Sequence, residues 1–495
     1  MSSITGGTAV ESGVDMERPL AAIILAAGLG TRMRSDRAKV LHEIGGEPMI
    51  VRALRAIGSL EASLLIVVVG HQAREVEAAA RGGESAASLS FALQREQRGT
   101  GHAARCAIDV LPQDFRGDVL IGCGDMPMIR AATLTAFARA HRAAATALSF
   151  ISVKVAEPGS YGRVIRDPQG QVTAIIEARD ATATQLAIAE INTGIYLADA
   201  DFLRSALDQL QPNNTQGELY LTDIVAIARR HGIEVNAWRA ANADEFAGIN
   251  SREELAQMET QVRQETNRKL MADGVTLIDP ATAYIGPEVA IGRDTTIGPN
   301  VQILGQSRIG AGVLIEGTAW LRDVVIGDRS HIKLGVRAED CVIGDECEIG
   351  PFANLREGTH LAGHNRIGNF VETKNTKIGH GSKASHLSYL GDAVIGSDTN
   401  IGCGVITVNY DGYDKHQTAI GDNCMVGCDT QLVAPVKVGN DVYVASGTTI
   451  LRDVADGALV MSHHPQREKP GWTAGWHERH QHHPKARGAQ RKNGK

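Results

Sequence analysis

The sequence predicts two different folds in one chain: an α/β domain with a Rossmann-like sheet, followed by a left-handed parallel β-helix built from hexapeptide repeats. Residues 20–250 alternate short apolar runs with alanine-rich stretches, the pattern of a parallel sheet covered by helices. After Gly274 the aliphatic residues recur every six positions, which is a β-helix period. The 54 glycines and the low aromatic content of 4% suit tight corners and a narrow interior.

The strands of the α/β part are predicted from apolar runs, with helices between them. These runs cover 20–27, 64–69, 119–121 and 146–153. Residues 251–274 contain no proline, carry many Glu, Gln and Arg residues and end in Gly274. They therefore predict one exposed helix that links two domains.

Three runs with a six-residue period predict the β-helix, because the aliphatic residue of each repeat points inward. The runs are Ile285, Ile291, Ile297, Ile303, Ile309 and Ile315; Ile343, Ile349, Leu355, Leu361 and Ile367; and Ile420, Val426, Leu432, Val438, Val444 and Ile450. The period breaks within 332–343, 367–378, 378–395 and 401–420. We expect a loop at each break, the last two carrying HLSY (386–389) and NYDG (409–412).

These patterns divide the chain into five segments. They are an N-terminal extension at 1–19, an α/β domain at 20–250, a helical linker at 251–274, a β-helix at 275–465 and a His-rich, basic tail at 466–495. The composition of the extension and the tail predicts that both are disordered.

Bulk properties exclude several classes of protein. The formal charge of −7 argues against a nucleic-acid partner, which requires a basic face. The seven cysteines are scattered without a Cys-x-x-Cys pair, so a reduced, cytoplasmic protein is expected. The first nineteen residues lack a secretory pattern, and no apolar run approaches the roughly 20 residues of a membrane span.

A first group of chemical residues follows the first predicted strand. The segment LAAGLGTRM (25–33) is a glycine-rich turn, and Arg32 and Lys39 add two cations. Backbone N–H groups in such a turn approach phosphates closely, and a following helix would add positive potential. Glycines alone also serve plain turns, whereas the two cations favour phosphate binding. The combination resembles the signature of sugar-nucleotide pyrophosphorylases.

Further motifs make the resemblance specific. They are KVLH (39–42), LQREQRGTGHA (93–103), GD (124–125), YGR (161–163), IIE (175–177), INTGIY (191–196) and GIN (248–250). From about residue 20 to 470 the chain resembles the bifunctional N-acetylglucosamine-1-phosphate uridylyltransferase/glucosamine-1-phosphate acetyltransferase family, GlmU. Members make UDP-N-acetylglucosamine from glucosamine 1-phosphate, acetyl-CoA and UTP, with acetylation first.

The resemblance implies roles for residues of the first domain. Arg32 and Lys39 would stabilise the charge that develops as pyrophosphate leaves, and Asp125 and Asn250 would ligate Mg²⁺. The residues expected to bind UTP are Leu25, Ala26, Ala27, Gly28, Gly30, Lys39, Gln94, Gly99 and Thr100. Those expected to bind N-acetylglucosamine 1-phosphate are Gly162, Glu177, Asn192 and Asn250. Taken alone, Asp125 and Asn250 are equally well explained as a cap and a turn residue.

The second group lies in the β-helix, in FANLREG (352–358), NFVETKN (369–375), GSKASHLSYLGD (381–392), NIGCG (400–404), VNYDG (408–412) and GCDTQLVAP (427–435). An ammonium group has no lone pair, so acetyl transfer needs a base, and His386 fits that role. The resemblance implies that Glu372 orients His386. It assigns glucosamine 1-phosphate to Arg356, Lys374, Tyr389 and Asn400, and acetyl-CoA to Cys403, Asn409, Tyr410, Cys428, Ser446 and His463.

Several positions depart from the family pattern. Cys403 and Ser446 stand where Ala is common, and Cys428 stands where Ser is common. His463 replaces an Arg, which would stay charged at every physiological pH, so we expect the affinity for acetyl-CoA to weaken as pH rises. Leu29 and Ala38 replace a Lys and a Pro without removing a catalytic group.

Two other functions remain open on the sequence, and a homotrimer is expected from the resemblance. The β-helix alone does not prove acetyl transfer, because the same fold also serves as a scaffold. The first alternative is a nucleotidyltransferase with a scaffolding β-helix, and the second is a non-catalytic assembly subunit. Retention of His386, Glu372 and Lys374 argues against the first, and Arg32, Lys39 and Asp125 argue against the second.

Overall fold

The structure is a computed structural model that describes residues 18–83, 89–462 and 466–481. Its contacts divide the chain into two compact units. The first contains residues up to Leu270 together with Tyr284–Pro287, and the second contains Met271–Ala283 and the chain from Glu288 onward.

The first unit is built on a twisted sheet in which strands run in the order β11-β7-β10-β6-β1-β4-β5, with β8 and β9 attached at β10. The strands are β1 (Leu20–Leu25), β2 (Glu43–Ile44), β3 (Glu47–Pro48), β4 (Leu64–Val69), β5 (Leu89–Leu93), β6 (Asp118–Cys123), β7 (Leu148–Lys154), β8 (Arg163–Arg166), β9 (Val172–Ile176), β10 (Glu190–Asp199) and β11 (Val235–Arg239). The short strands β2 and β3 form a separate hairpin. The predicted strand runs therefore correspond to β1, β4, β6 and β7.

Helices cover both faces of this sheet. Those that pack in its two cores are α1 (Met49–Gly58), α2 (Ala73–Gly82), α3 (Thr100–Ile108), α4 (Ala131–Ala144), α6 (Ala200–Asp208) and α7 (Asp223–Arg230). The helices α5 (Ala183–Leu186) and α8 (Arg252–Ala272) lie outside these cores. Successive residues of a strand face opposite sides, so Ile24 packs in one core with Leu54 and Phe137. Ile23 packs in the other core with Ala104.

Antiparallel pairing at β10 departs from the predicted parallel sheet, and β8 also pairs antiparallel with β10 and β9. β10 runs antiparallel to both β6 and β7, whereas β1 is parallel to β4 and β6. The start of β10 therefore lies at the same sheet edge as the carboxyl ends of β1 and β6. The chain leaves β1 toward β4 on one side and returns to β6 on the other, and such a switch point is where open α/β sheets form a binding crevice.

The predicted linking helix is α8, Arg252–Ala272. It is less exposed than the sequence indicated, because Met258 and Val262 pack against Ile44 and Met49. Its apolar residues are too widely spaced among charged ones to reveal this buried side by pattern alone.

The second unit is a parallel β-helix. One face is a sheet of the strands Thr276–Leu277, Thr296–Ile297, Leu314–Ile315, His331–Ile332, Glu348–Ile349, Arg366–Asn369, Lys383–His386, Asn400–Ile401, Met425–Val426, Tyr443–Val444 and Leu459–Val460. A longer sheet bends round the other faces, with strands Ala290–Ile291, Gln302–Leu304, Arg308–Ile309, Trp320–Ile326, Arg337–Ile343, Asn354–Leu355, Thr359–Leu361, Glu372–Lys374, Lys377–Ile378, Tyr389–Gly391, Ala393–Ile395, Ile406–Val408, Thr418–Ile420, Gln431–Val433, Val436–Val438 and Thr449–Ile450.

The six-residue period places its aliphatic residues in the core, as predicted. Of the residues in the three runs, all are buried except Ile291, which is half-buried. Each strand pairs in parallel with its equivalent one coil later, as Leu355 does with Thr373. Three hexapeptides therefore make one coil.

The prediction of a loop at each break of the period was wrong at three of the four places. There the chain stays in the coil, and one corner is a residue shorter. The corner residues Asp340, Asn375 and Asp392 have positive φ angles of 45°, 46° and 48°, which Asp and Asn tolerate better than most residues. His386 consequently ends a strand instead of lying in a loop. Only the break at 401–420 carries a loop, closed by a bridge between Tyr410 and Lys415.

Within 466–481, the described part of the tail predicted to be disordered, the chain forms a helix, α9 (Trp472–Arg479). The rings of Trp472 and Trp476 stack within it, and Trp476 also stacks on His480. Apart from residues 18 and 19, the predicted N-terminal extension lies outside the described residues, as do 463–465 and 482–495. In the described parts of the chain, no helix is long and apolar enough to cross a membrane.

Candidate active sites

The glycine-rich loop after β1 forms the floor of a cavity of about 410 Å³ in the first unit. Gly30 has φ +60°, and a Cβ there would stand 2.7 Å from the Cβ of Lys39. Gly28 faces open space, with no atom within 4 Å of a Cβ built on it. Gly30 therefore lets Lys39 approach the loop, and Gly28 leaves room for a ligand.

The helix expected directly after this loop is absent. The chain forms a 3₁₀ turn at Thr31–Met33 and another at Lys39–Leu41, and the first α-helix of the described chain is α1. Turns this short contribute little dipole, so positive potential at the loop has to come from side chains and individual N–H groups.

Lys39, Asp125 and Asn250 meet at this cavity. The Lys39 ammonium donates to Asp125 Oδ2 at 2.5 Å and to Asn250 Oδ1 at 3.1 Å. The backbone holds the three together, since Gly124 N donates to Leu25 O and Ile249 N donates to Asp125 O. Two hard oxygen donors and one ammonium group thus converge on one point beside the loop.

These oxygen donors fit a magnesium ion. In the described residues no group of three or more His, Cys, Asp or Glu side chains is placed to hold a metal ion. Mg²⁺ is nevertheless often bound by one or two protein oxygens, with phosphates and waters completing its shell. Asp125 and Asn250 can supply those two oxygens.

All nine residues predicted to bind UTP line the cavity. Gln94 is buried and donates from Nε2 to Gly99 O at 3.1 Å. Gly99 has φ +100°, and its Cβ would lie 2.5 Å from Leu219 O. The Thr100 hydroxyl accepts from Leu221 N, so Thr100 fixes the segment 219–221 and offers a ligand mainly its backbone.

Three residues predicted to hold the acetylated sugar also come together. Asn192 N donates to Gly162 O at 2.9 Å, and a Cβ on Gly162 would lie 3.5 Å from Glu177 Oε1. Burial raises the pKa of Glu177, and the hydroxyl of Thr222, which donates to its carboxylate, opposes that rise. Asn250, the fourth predicted residue, instead lies with Lys39 and Asp125.

Arg32 is apart from this cluster. It lies in the 3₁₀ turn, and its side chain is exposed. Unlike Lys39, it does not line the cavity.

In the second unit, the predicted base ends a strand and occupies a corner of the coil. His386 Nδ1 lies 2.9 Å from Asn369 Oδ1. An amide oxygen only accepts hydrogen bonds, so Nδ1 carries the proton and Nε2 keeps its lone pair. The side chain is exposed, which leaves Nε2 accessible to a substrate ammonium group.

His386 belongs to a column of residues stacked one per coil, here called the corner column: Asn369, His386, Cys403, Cys428 and Ser446. Asn369 and His386 are paired in the sheet register. In the following coils, Ala384, Ile401, Val426 and Val444 are paired in register, each with the next. The residues two positions after them are His386, Cys403, Cys428 and Ser446, which therefore align. Three of the residues predicted to contact acetyl-CoA therefore share a corner with the predicted base.

The expected contact between Glu372 and His386 is not formed. Glu372 Oε1 accepts from Arg356 Nη1 at 2.9 Å, and Asn369 occupies the place beside His386. The reason is the coil length: Asn369 precedes His386 by one 17-residue coil, whereas Glu372 is in register with Tyr389.

The residues predicted to bind glucosamine 1-phosphate are divided between two faces of the coil. Arg356, Lys374 and Tyr389 lie on or beside strands of the longer sheet, whereas Asn400 lies on the first face. Lys374 donates to Glu357 at 2.7 Å and holds the pKa of Glu357 below its usual range.

The remaining predicted acetyl-CoA contacts lie elsewhere. Asn409 is buried and donates to Asp392, and Tyr410 begins the loop at the opposite end of the strand Ile406–Val408. His463 lies outside the described residues.

The structure gives contacts to residues to which the sequence assigned no individual role. Asn369 contacts the base, and a spacing of one coil from His386 would have pointed to it. Thr222 contacts Glu177, and Tyr161 accepts from Gly248 N beside Asn250. These contacts join distant segments, and no local pattern signals them.

Both units resemble known proteins. Residues 21–242 match the family model described as Nucleotidyl transferase, 272–363 match GMPPB C-terminal domain, and 418–452 match Bacterial transferase hexapeptide (six repeats). A protein of Pelobacter propionicus named Bifunctional protein GlmU is 49% identical over 453 residues, covering 92% of this chain and 98% of that protein. Proteins of the same name from Geotalea uraniireducens and Trichlorobacter lovleyi are 47% and 46% identical, covering 92% and 91% of this chain and 98% and 97% of theirs.

Proposed function

The chain belongs to the family of bifunctional GlmU proteins, and from that premise we propose how its residues divide the work. It is a bifunctional enzyme. One activity acetylates glucosamine 1-phosphate with acetyl-CoA. The other transfers a uridylyl group from UTP to N-acetylglucosamine 1-phosphate, which gives UDP-N-acetylglucosamine and pyrophosphate.

The first unit carries uridylyl transfer, and the meeting of Lys39, Asp125 and Asn250 beside the loop is the observation that supports this most. A phosphate oxygen of the sugar phosphate forms a bond to the α-phosphorus of UTP, and the bond from that phosphorus to the pyrophosphate oxygen breaks. Negative charge grows on the leaving pyrophosphate, and the Lys39 ammonium stabilises it. Arg32 is exposed in the turn beside this loop and would add its charge at the phosphates of bound UTP.

Asp125 and Asn250 would hold Mg²⁺ when nucleotide binds. The ion would supply charge neutralisation at the phosphates. For this to happen the Lys39 ammonium has to release the oxygens to which it donates and turn toward the phosphates. Lys39 therefore neutralises the Asp125 carboxylate and donates to the Asn250 amide oxygen, the two oxygens that Mg²⁺ would use.

The buried pair Glu177 and Asn192 would position the acetylated sugar. A carboxylate accepts from sugar hydroxyls, and an amide both donates and accepts. Gly162 keeps this place open, because its Cβ would already lie 2.9 Å from Ile175 Cγ2.

The second unit carries acetyl transfer, with His386 as the base. Nε2 takes a proton from the glucosamine ammonium, and the free amine attacks the thioester carbonyl. The carbon–sulfur bond breaks, and CoA leaves as a thiol. Asn369 positions the ring by accepting from Nδ1–H.

A homotrimer would complete the acceptor site. In one chain Arg356, Lys374 and Tyr389 lie on a different face from Asn400, so an adjacent copy can bring the two groups together. Hexapeptide repeats match over 418–452, and flat β-helix faces are suited to pairing.

The cysteines are all free, which supports a cytoplasmic enzyme.

One assay tests both activities. Purified protein is given glucosamine 1-phosphate, acetyl-CoA, UTP and Mg²⁺, and each is omitted in turn, while a parallel reaction contains N-acetylglucosamine 1-phosphate, UTP and Mg²⁺. Thiol release should require acetyl-CoA and glucosamine 1-phosphate, and pyrophosphate release should require UTP and the acetylated sugar. Pyrophosphate release in the parallel reaction without thiol release in the first would favour a scaffolding β-helix instead, and neither product in either reaction would favour an assembly subunit.

Two variants separate the sites. Lys39→Ala and Asp125→Ala should each lower pyrophosphate release strongly and leave thiol release nearly unchanged, because both residues belong to the first unit. Loss of both activities in a folded variant would contradict the division into two sites.

A further inference from the structure

Two cysteines of the corner column are placed as a pair. Cys403 and Cys428 occupy equivalent positions in consecutive coils, and Asp429 N donates to Cys403 O at 2.8 Å between them. Neighbouring parallel strands are about 4.8 Å apart, inside the Cα separation of about 4.4–6.8 Å that a disulfide spans. Each cysteine precedes a residue with positive φ, Gly404 at 77° and Asp429 at 57°, so the two side chains leave similar corners in the same direction.

The two thiols are also accessible. Cys428 is exposed and Cys403 is half-buried, and both are free. By contrast, burial raises the pKa of Cys341 to about 12 and that of Cys347 to about 11. Thiolates and not thiols react with disulfides, so these buried cysteines are poor competitors.

We propose that Cys403 and Cys428 form a redox-sensitive dithiol that a low-molecular-weight disulfide, RSSR, converts into an intramolecular disulfide. The Cys428 thiolate attacks RSSR and releases one RSH, leaving a mixed disulfide. The Cys403 thiolate then attacks the Cys428 sulfur, and the second RSH leaves. Two protein thiols are oxidised by two electrons and RSSR is reduced to two RSH, so the exchange balances without another reactant.

The position of the pair links this chemistry to acetyl transfer, and this part rests on the proposed function. Cys403 is one coil from His386, and both cysteines stand where acetyl-CoA is proposed to bind. A disulfide, or an R group attached at Cys428, removes space and mobility at that corner. Oxidation should therefore suppress acetyl transfer and leave uridylyl transfer unaffected, and a thiol reductant should reverse it.

Mass spectrometry of the full-length protein tests the pairing. Reduced protein is treated with oxidised glutathione, desalted and digested without reduction. We expect the loss of two titratable thiols, an intact mass lower by two hydrogen atoms and a peptide cross-linked between Cys403 and Cys428. Cys403→Ala should stop at a glutathione adduct on Cys428, and the matched control Cys106→Ser should form the cross-link as wild type does.

Separate glutathione adducts on Cys403 and Cys428 without a cross-link, or no reaction at either thiol, would overturn the proposal. Acetyl transfer, followed as acetylated product by mass spectrometry, is compared for each protein before and after oxidation. We expect wild type to lose at least about tenfold, because a displacement of about 1 Å at a reacting centre has effects of this size or larger. A cross-link that leaves acetyl transfer unchanged would keep the dithiol and refute the placement of acetyl-CoA at the corner column.

Discussion

Gly30→Ala is expected to damage uridylyl transfer through Lys39. The new Cβ would stand 2.7 Å from Lys39 Cβ, whereas carbon atoms pack at about 3.5–4.0 Å. Lys39 therefore has to move by about 1 Å, away from the point where it meets Asp125 and Asn250. A shift of that size costs up to about a hundredfold in rate, and the left-handed backbone at φ +60° costs a further roughly 1–2 kcal/mol of stability.

A matched control separates displacement from strain. Gly46 also has positive φ, +80°, but has nothing within 4 Å of its Cβ and does not line the cavity. Gly46→Ala should lower the melting temperature of the first unit by a similar amount and keep pyrophosphate release close to wild type. Initial rates of pyrophosphate release and thiol release are measured for both variants. Equal loss of pyrophosphate release in the two variants, or full activity in Gly30→Ala, would refute the role of the Gly30–Lys39 contact.

Three further predictions concern single side chains. His386→Ala should lower the turnover of acetyl transfer by about a hundredfold with acetyl-CoA still binding; wild-type turnover at pH 7 would exclude His386 as the base. Asn369→Ala should lower the same turnover less, by roughly tenfold, because the ring loses its acceptor. Asn369→Asp should restore activity and move the acidic limb of the pH profile to higher pH, because a carboxylate beside His386 raises the pKa of the ring. An unmoved limb in Asn369→Asp would assign Asn369 a structural role. Glu177→Gln should abolish most uridylyl transfer yet raise the melting temperature, more at pH 8 than at pH 5. Burial raises the folded pKa of Glu177 above its unfolded value. The contribution of Glu177 to stability is therefore present below the unfolded pKa and is lost as pH rises through the folded pKa. A melting temperature lowered equally at both pH values would contradict this.

The sequence was informative where residues recur at a fixed spacing or lie close together along the chain. The six-residue spacing predicts that each aliphatic residue of the three runs points into the β-helix. Those residues are buried except for the half-buried Ile291. The glycine-rich turn and Lys39 are close in sequence, so their shared cavity was predictable. The residues predicted to bind UTP all line it, because the motifs follow strands whose carboxyl ends share one sheet edge.

The breaks in the six-residue period show what spacing along the sequence cannot predict. A break in period says only that the count changes, and one missing residue looks much like an insertion. Positive φ recurs at successive corners, and at Asp340, Asn375 and Asp392 it comes five residues after the previous one instead of six. Whether a break is a tight corner or a loop depends on backbone geometry that the spacing does not contain.

By itself, the sequence determined the two folds, their order along the chain and the chemistry available to each unit. Only the tertiary structure decided which side chains meet. Lys39 joins Asp125 and Asn250 from 86 and 211 positions away, because the sheet order brings those segments to one crevice. Asn369, and not Glu372, contacts His386, because neighbours in a β-helix are set by the length of one coil. Periodicity and composition are properties of neighbouring residues, whereas these contacts arise from how distant segments are stacked.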